Sequence, residues 1–147
     1  MSLKSSKVKN PELPSELVDR LVHAATEARK KAYAPYSRFH VGAALLTDDG
    51  RIFSGANVEN ASYGATMCAE RAAIFGAVTA GCRKIEALAI VADYPAPVPP
   101  CGICRQVLSE FGRDTQVIMS NINGDRRVET IETLLPFAFE LGEDKES

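Results

Sequence analysis

The sequence has none of the features that would tie a protein to a membrane or to nucleic acid. No window approaches the ~18 consecutive apolar residues of a membrane-spanning helix, and the polar start over residues 1–10 has no apolar signal-peptide core. The 17 Lys and Arg residues are offset by 19 acidic residues, and no basic run is longer than Arg29-Lys30-Lys31. Nucleic-acid binding depends on concentrated positive charge. We therefore expect a cytoplasmic protein that binds neither membranes nor nucleic acid.

Histidine and cysteine, the residues that most often bind zinc, are scarce. The chain has two histidines, His23 and His40, and neither lies near other potential ligands in the sequence, so both are interpreted as structural. The four cysteines are expected to serve metal binding or catalysis rather than disulfide formation, because the cytoplasm is reducing. The cysteines are therefore the candidates for a functional site.

Length and hydrophobic pattern predict one domain. The 147 residues fit a single domain, assigned to residues 13–147, after a polar N-terminus over residues 1–12 that is predicted to be disordered. A helix is predicted over residues 16–32, with Ser15 as its cap. Its apolar residues recur at helical spacing and are predicted to face the core: Leu17, Leu21, Ala24, Ala28 and Ala32.

Five apolar segments are predicted to form strands. Residues 40–47 and 51–56 flank a turn and predict a hairpin, and residues 85–92 are apolar enough for the centre of a sheet. Residues 116–120 and 126–130 predict two further strands. Helices are predicted to begin at Cys68 and at Cys101, the second after a loop that contains four prolines. This order of elements predicts an α/β fold, a three-layer α/β/α sandwich around a five-stranded sheet.

The strongest chemical signal is the motif Cys68-Ala69-Glu70-Arg71, followed by Pro100-Cys101-Gly102-Ile103-Cys104. The last two cysteines are three residues apart, which at ~100° per residue places both sulfurs on one side of a helix. Cys68 and Glu70 are two apart and converge only in the first turn of a helix. A helix start favours thiolate over thiol through its unpaired N–H groups and its dipole. The motifs therefore predict two helix N-termini that point at one metal ion.

Three cysteine ligands predict a catalytic zinc site. Structural zinc normally has four protein ligands, whereas catalytic zinc keeps one position for water, and three thiolates leave that position open. Three thiolates and Zn²⁺ sum to one negative charge, which weakens the pull of the metal on water. Arg71 is the nearest group that can offset this charge, and Glu70 is the candidate general acid and base.

Each of these residues also has a simpler interpretation. The spacing of Cys101 and Cys104 alone would suit a thioredoxin-like redox pair or two buried thiols. A closed structural site would need Cys82, but this residue lies ~21 Å along the predicted helix from Cys68 and past its end. Glu70 could simply complement a helix dipole, and Arg71 could be a surface charge.

The motifs resemble those of the small zinc-dependent cytidine deaminases. Cys-Ala-Glu followed by Pro-Cys-x-x-Cys is the three-cysteine form of the zinc nucleobase deaminase signature. The resemblance covers residues 15–140, approximately, and is carried by five blocks in the order of the family: residues 36–45, 57–61, 68–71, 100–106 and 134–139. It implies a mixed sheet and one zinc ion per chain, bound by Cys68, Cys101 and Cys104. It also implies hydrolysis of cytidine and deoxycytidine to uridine and deoxyuridine, with release of ammonia, as in pyrimidine salvage.

The resemblance implies roles for residues around the zinc site. Glu70 would carry protons from water to the ring nitrogen and the departing amine, while Arg71 would neutralise the thiolates. The Ala69 N–H would hold the base carbonyl. Pro99 stands where the family is expected to have serine or threonine, and it keeps the backbone carbonyl that would accept from the exocyclic amine.

Four further residues are implied to bind the nucleoside. Asn57 and Glu59 would accept hydrogen bonds from the ribose, with Tyr63 at the edge of the same pocket. Phe39 would pack on the pyrimidine ring. Without the resemblance, residues 57–60 would be interpreted as a polar turn and Phe39 as part of the core.

Residues 134–139 form an apolar segment near the C-terminus, in which Pro136 is expected to end any preceding helix. On a monomer this segment would leave Phe137 and Phe139 partly exposed, and exposed apolar patches usually mark an interface. The alternative is a tail that folds back on its own core. The resemblance implies a homotetramer with closed symmetry, in which Phe139 reaches the nucleoside of a neighbouring subunit.

Three other functions fit part of the pattern. A nucleic-acid-editing deaminase shares the zinc chemistry, but its signature begins with histidine where this chain has Cys68. A deaminase of a nucleoside antibiotic such as blasticidin S shares the fold but is not expected to have the ribose block at residues 57–60. A non-enzymatic zinc-binding protein needs neither Glu70 nor an open coordination position.

Overall fold

The computed structural model describes residues 12–142, so residues 1–11 of the segment predicted to be disordered lie outside the described residues. The elements are α1 (Ser15–Arg29), β1 (Val41–Thr47), β2 (Ile52–Ala56), a 3₁₀ turn (Tyr63–Ala65), α2 (Ala69–Thr79), β3 (Ile85–Ala92), α3 (Gly102–Glu110), β4 (Gln116–Asn121), β5 (Arg126–Thr130) and α4 (Ile131–Leu134). Within the described range, no helix is both long and apolar enough to span a membrane.

In this part of the chain, five strands form one mixed sheet in the order β2-β1-β3-β4-β5. Strand β1 is antiparallel to both β2 and β3, β4 is antiparallel to β5, and β3 and β4 are parallel. The central strand β3 reads Ile-Glu-Ala-Leu-Ala-Ile-Val-Ala and is buried at every position except Glu86. A continuous apolar run of this kind is what a strand covered on both faces requires. The predicted mixed sheet is confirmed.

Helices cover both faces of the sheet. Helix α1 packs on one face, where Leu21 and Ala25 join a cluster with Ala44 and Val91. Helices α2 and α3 pack on the other, where Ile74 and Leu108 join a second cluster with strand residues that include Leu45, Leu88, Ile90 and Val117. The side chains alternate between the two clusters along the strands, as the period of two predicts. The three-layer α/β/α sandwich predicted from the sequence is confirmed.

Two glycines let helices approach the sheet closely. A Cβ atom at Gly42 in β1 would lie 1.9 Å from the Ala25 carbonyl oxygen of α1. A Cβ atom at Gly55 in β2 would lie 2.6 Å from the Ala73 nitrogen and 2.8 Å from the Ala69 carbonyl oxygen of α2. Any other residue would push the helix away. Gly55 therefore fixes the height of α2 above the sheet, and with it the position of the residues that begin this helix.

Helix α1 begins and ends earlier than predicted. Its N-cap is Pro14, which makes no side-chain capping bond, so the assignment of Ser15 as the cap is wrong and Ser15 is the first helical residue. The chain then tightens after Arg29 through bonds to the third preceding residue, such as Lys31 N to Ala28 O at 2.9 Å. Tyr33 leaves the helix because its N–H donates to the Asn57 carbonyl at 2.9 Å. The predicted extension to residue 32 is therefore wrong.

Candidate active site

Three cysteines from two helix N-termini lie together at the end of the sheet where the parallel strands β3 and β4 have their carboxyl ends. Cys68 is the N-cap of α2, Cys101 is the N-cap of α3, and Cys104 lies in the first turn of α3. The Sγ–Sγ distance is 3.8 Å between Cys68 and Cys101 and 3.3 Å between Cys101 and Cys104. All three sulfurs lie within 4.8 Å of one another. Crevices beyond the carboxyl ends of parallel strands are where α/β proteins bind ligands.

The donor set fits zinc. A tetrahedral zinc ion with Zn–S bonds of about 2.3 Å holds its sulfurs about 3.8 Å apart, and the 3.8 Å separation of Cys68 and Cys101 matches that value. The cysteines are free thiols, at distances that exclude a disulfide bond of about 2.05 Å. Cys82 is buried away from the cluster, where its thiol donates to the Lys84 carbonyl at 3.2 Å. Among the described residues, Cys68, Cys101 and Cys104 are therefore the group positioned to bind a metal ion.

Arg71 lies against the cysteine cluster. Its Nη2 donates to the Cys68 sulfur at 3.2 Å. The hydrogen bond with Cys104, together with this contact from Arg71, lowers the pKa of the Cys68 thiol to about 5. The same bond to Cys68 and burial raise the pKa of Cys104. These contacts favour the thiolate form of Cys68, and the Arg71 guanidinium compensates part of its negative charge.

Substitution of Arg71 by glutamine should weaken zinc binding at the site without unfolding the protein. The amide keeps a hydrogen-bond donor but removes the positive charge beside the thiolates. We expect zinc retention, or the cytidine turnover that the resemblance implies, to fall roughly 10–100-fold, the usual effect of changing a group that orients a metal ligand. Zinc retention against a competing chelator and initial rates of deamination measure this effect. Unchanged values for both would show that Arg71 is only a surface charge. Arg71→Lys is the control, because it keeps the positive charge.

Glu70 lies in the first turn of α2 and is only 6% exposed. Burial raises the pKa of its carboxyl group to about 7, and the negative charge of Cys68 acts in the same direction. Its carboxyl group also interacts with the Cys104 thiol. A buried carboxyl group whose pKa is near neutrality can both accept and donate a proton at physiological pH. The position next to the three thiols is where such a group would act on water.

Residues 57–59 form a short extended segment rather than the polar turn that the sequence alone suggested. Val58 bridges Tyr33 on one side and Met67 on the other. The pairing includes hydrogen bonds from Glu59 N to the Tyr33 carbonyl at 2.8 Å and from Met67 N to the Val58 carbonyl at 2.9 Å. This pairing ties the segment to the residue that precedes Cys68, and it buries the side chains of Asn57 and Glu59.

The buried side chains of Asn57 and Glu59 hold the loop that carries Phe39. Asn57 Nδ2 donates to the Phe39 carbonyl at 2.8 Å, and its Oδ1 accepts from Val41 N at 2.8 Å. Glu59 Oε1 accepts from Tyr36 N at 2.9 Å and from Ser37 N at 3.1 Å. These four bonds add to the one that Arg29 Nε donates to the His40 carbonyl at 3.1 Å, and together they hold the loop at residues 36–41.

Ser37 completes this arrangement. Its hydroxyl donates to Glu59 Oε2 and accepts from Phe39 N at 3.0 Å. The hydrogen bond from Ser37 is the main cause that lowers the pKa of Glu59, so this carboxylate is ionised at neutral pH. Between Ser37 and Phe39 the backbone of Arg38 adopts φ 62°, a left-handed conformation that is uncommon for residues other than glycine. The carboxylate therefore stabilises a strained turn directly before Phe39.

Aromatic side chains surround this loop. Phe39 is 38% exposed, not part of the core, and its ring meets Tyr94 edge to face with centroids 6.4 Å apart. Tyr63 is 72% exposed and meets Tyr36 in the same geometry at 5.8 Å. A surface cavity of about 290 Å³ has Tyr63 and Glu59 in its lining, with Tyr36, Ser37 and Thr66. Glu59 and Tyr63 thus share one cavity.

The remaining predicted site residues lie at three places. Ala69 is fully buried as the first residue of α2. Pro99 is exposed in the loop that joins β3 to α3, two residues before Cys101. Phe139 is 67% exposed and Phe137 is fully exposed, so the tail does not fold these rings onto the core of its own chain. Neither His23 nor His40 belongs to the cysteine cluster.

The structure brings Ser37, Arg105 and Gln106 near the site, and none of the three is among the predicted site residues. Ser37 belongs to the first block of the resemblance, and Arg105 and Gln106 belong to the fourth, so their presence in those blocks was the available signal. Arg105 Nε donates to the Pro100 carbonyl at 2.9 Å, directly before Cys101. Ser37, Arg105 and Gln106 each also bond a residue that is 22, 29 and 33 residues away, respectively, and no local pattern indicates these partners.

Comparison with known proteins places these residues in a family. The family model for the cytidine and deoxycytidylate deaminase zinc-binding region matches residues 15–120. A cytidine deaminase of Halalkalibacterium halodurans is 55% identical over 120 residues, which cover 81% of this chain and 91% of that protein. A cytidine deaminase of Sporosarcina psychrophila is 50% identical over 123 residues, which cover 83% of this chain and 90% of that protein.

A solved structure and a more distant relative complete the comparison. The crystal structure of cytidine deaminase from Burkholderia pseudomallei superposes with a TM-score of 0.80 at 52% identity, and the match covers 82% of this chain and 98% of that one. A blasticidin-S deaminase of Bacillus cereus is 33% identical over 127 residues, which cover 81% of this chain and 89% of that protein. The three cytidine deaminases described above are thus more similar to this chain than this antibiotic deaminase is.

Proposed function

The chain belongs to the cytidine deaminase family, and on this premise we propose that it catalyses the hydrolytic deamination of cytidine and deoxycytidine to uridine and deoxyuridine, with release of ammonia. The observation that carries the proposal is the cluster of Cys68, Cys101 and Cys104 at the starts of α2 and α3, where the buried carboxyl group of Glu70 interacts with the Cys104 thiol. A scaffold or structural zinc site would need neither this carboxyl group nor an open position.

The site combines three metal-binding thiols, a carboxyl group that can carry protons and a guanidinium that balances charge. Cys68, Cys101 and Cys104 would hold zinc, which would supply the Lewis acidity that lowers the pKa of water to near 7. Glu70 accepts the proton of this water and passes it to the ring nitrogen of the base, while the water oxygen attacks C4. Glu70 then takes the proton of the new C4 hydroxyl group and transfers it to the amine, so that the C4–N bond breaks, the C4 carbonyl forms and ammonia leaves. Arg71 offsets the excess negative charge of the thiolates throughout.

Backbone groups beside the ligands orient the base. Ala69 begins α2, so its N–H is among the donors without an intrahelical partner, which supports its role in holding the base carbonyl. The Pro99 carbonyl accepts from the exocyclic amine, and the exposed position of Pro99 beside Cys101 supports this role. Proline serves here because the contact uses the carbonyl and not the missing N–H.

Side chains of the neighbouring loops bind the nucleoside. Phe39 packs on the pyrimidine ring, and its partial exposure supports this role. Asn57 and Glu59 accept hydrogen bonds from the ribose, each with one lone pair left after its contacts to the Phe39 loop. Tyr63 closes the edge of the cavity that it shares with Glu59. Ribose binding and the position of Phe39 are therefore coupled through the same two side chains.

We further propose a cytoplasmic homotetramer in which Phe139 completes the site of a neighbouring subunit. Four free thiols suit a reducing compartment. The exposure of Phe137, Phe139 and Leu141 gives a single chain an apolar patch near its C-terminus, and such patches mark interfaces. Closed symmetry lets each subunit give one phenylalanine and receive another.

Phe139→Ala should raise the KM for cytidine about tenfold or more while leaving zinc bound, because a ring at the nucleoside is removed and the cysteines are not touched. Light scattering of the native protein should give about four times the chain mass. Leu141→Ala, an exposed apolar change in the same tail, is the matched control and should have the smaller effect on KM. A fully active monomer at low concentration would contradict the proposal.

One assay tests the proposed reaction against its closest alternative. Cytidine, deoxycytidine and blasticidin S should be offered separately to the zinc-loaded protein, with ultraviolet absorbance and ammonia release as readouts. We expect both nucleosides to be deaminated with one ammonia released per product, and blasticidin S to react far more slowly. Preferential turnover of blasticidin S would assign the chain to the antibiotic deaminases instead.

A further inference from the structure

Two adjacent side chains of α3 hold the C-terminal segment, residues 134–139, at both of its ends. Arg105 Nη1 donates to the Leu134 carbonyl at 2.9 Å. Gln106 Nε2 donates to the Phe139 carbonyl at 3.0 Å. Both donors lie within two residues of the metal ligand Cys104, so the helix that begins with metal ligands also carries the contacts to the tail.

Arg105 connects the tail to the loop before the metal site as well. Its Nε donates to the Pro100 carbonyl at 2.9 Å, and Pro100 directly precedes Cys101. A guanidinium has several donors in a fixed planar arrangement, so one half-buried side chain can bond both carbonyls at once. Bonds from a charged donor are stronger than bonds between neutral groups. Arg105 thereby fixes the distance between the Pro99–Pro100 loop and the start of the tail.

The tail needs such contacts to have a defined position. Within the described range, residues 135–142 belong to no helix or strand, and Phe137 has φ 57°. The side chains of Phe137 and Phe139 are largely exposed, so they contribute little packing against their own chain. Ordering each residue of such a segment costs conformational entropy that few contacts offset. Hydrogen bonds from α3 are then what keeps the Phe139 backbone in one place.

We propose that Arg105 and Gln106 are positioning residues that anchor the C-terminal segment to α3 and so present Phe139 for nucleoside binding. This inference rests on the proposed function, in which Phe139 contacts the nucleoside of a neighbouring subunit. Neither residue touches the substrate in this account. Both act by restricting the positions that the Phe139 ring can occupy before substrate binds.

The test uses variants that keep size and remove donors. Gln106→Met has similar length and no donor, and Arg105→Lys keeps the charge but loses the planar pair of donors. For each variant we expect the KM for cytidine to rise about fivefold, the effect of one net hydrogen bond, with kcat and zinc content close to the wild-type values. Arg83→Lys is the matched control, because Arg83 also bonds two backbone carbonyls, those of Val78 and Cys82, at the far end of α2.

Hydrogen–deuterium exchange supplies a readout that does not depend on activity. Amides of residues 136–142 should exchange several-fold faster in Gln106→Met than in the wild type, whereas the amides of α1 should be unchanged. In the Phe139→Ala background, Gln106→Met should no longer raise KM, because the group that it positions is absent.

The outcomes separate this inference from the proposed function. If Phe139→Ala raises KM while Gln106→Met and Arg105→Lys leave both KM and tail exchange unchanged, the anchoring role is overturned and the proposed function stands. A rise in KM on Gln106→Met that persists in the Phe139→Ala background would also overturn it. If the wild-type protein does not deaminate cytidine, the proposed function fails, and faster tail exchange in the variants still reports the anchor.

Discussion

Glu70→Gln is expected to retain zinc and to lose nearly all turnover of cytidine. Glutamine has the same size as glutamate and is uncharged, so it fits the buried position at the start of α2 without disturbing the cysteines. It cannot accept the proton of water or return one to the departing amine. Removing a general acid and base typically costs ~10²–10⁴-fold in rate, so we expect kcat to fall by that factor at an unchanged zinc content.

The control for this variant separates catalysis from helix electrostatics. Glu16 lies in the first turn of α1, exposed and remote from the cysteines, and Glu16→Gln removes a first-turn charge from another helix of the same chain. We expect it to keep the wild-type rate. Turnover by zinc-loaded Glu70→Gln at the wild-type rate would reduce Glu70 to a residue that complements the helix dipole.

Cys101→Ser is expected to remove zinc and activity together. Cys101 caps α3, with its sulfur accepting from Cys104 N at 3.4 Å, and serine is itself a favoured N-cap. The substitution therefore preserves the helix start while replacing a thiolate with a hydroxyl group. Replacing a residue that only contacts a metal ligand typically lowers metal affinity roughly 10–100-fold. We expect zinc affinity to fall by more than this, because Cys101 is itself a ligand. Elemental analysis after dialysis against a chelator measures the loss.

Cys82→Ser makes the same atomic change outside the cluster. The Cys82 sulfur donates to the Lys84 carbonyl, and a serine hydroxyl can keep that bond, so zinc and turnover should be retained at some cost in thermal stability. Loss of zinc from Cys82→Ser together with retention by Cys101→Ser would contradict the three-cysteine assignment and restore a site that includes Cys82.

The sheet and the metal site could be predicted because their signals are local. Strand β3 is a continuous apolar run, and the bounds predicted for it are those observed, Ile85–Ala92. The cysteine cluster follows from helical spacing at two N-termini, which fixes the direction of each side chain within one turn. The end of α1 was predicted less well because Tyr33 leaves the helix to pair with Asn57, a contact across 24 residues that no helical pattern contains.

The nucleoside-binding loops depended on the resemblance and on tertiary structure. Residues 57–60 look like a polar turn, and the side chains of Asn57 and Glu59 acquire their partners only when the loop at residues 36–41 packs beside them. Gln106 and Phe139 are 33 residues apart, so no periodic pattern in the sequence indicates their hydrogen bond. The exposure of Phe139 could be predicted from composition, whereas its anchoring could not.

Zinc titration into metal-free protein tests the central claim most directly. Cytidine turnover should be recorded as zinc is added in known ratio to the wild type and to Glu70→Gln. We predict that wild-type activity rises in proportion to zinc and stops rising at one zinc ion per chain, while Glu70→Gln binds the same amount and shows almost no turnover. Full activity of the metal-free wild type would contradict the account.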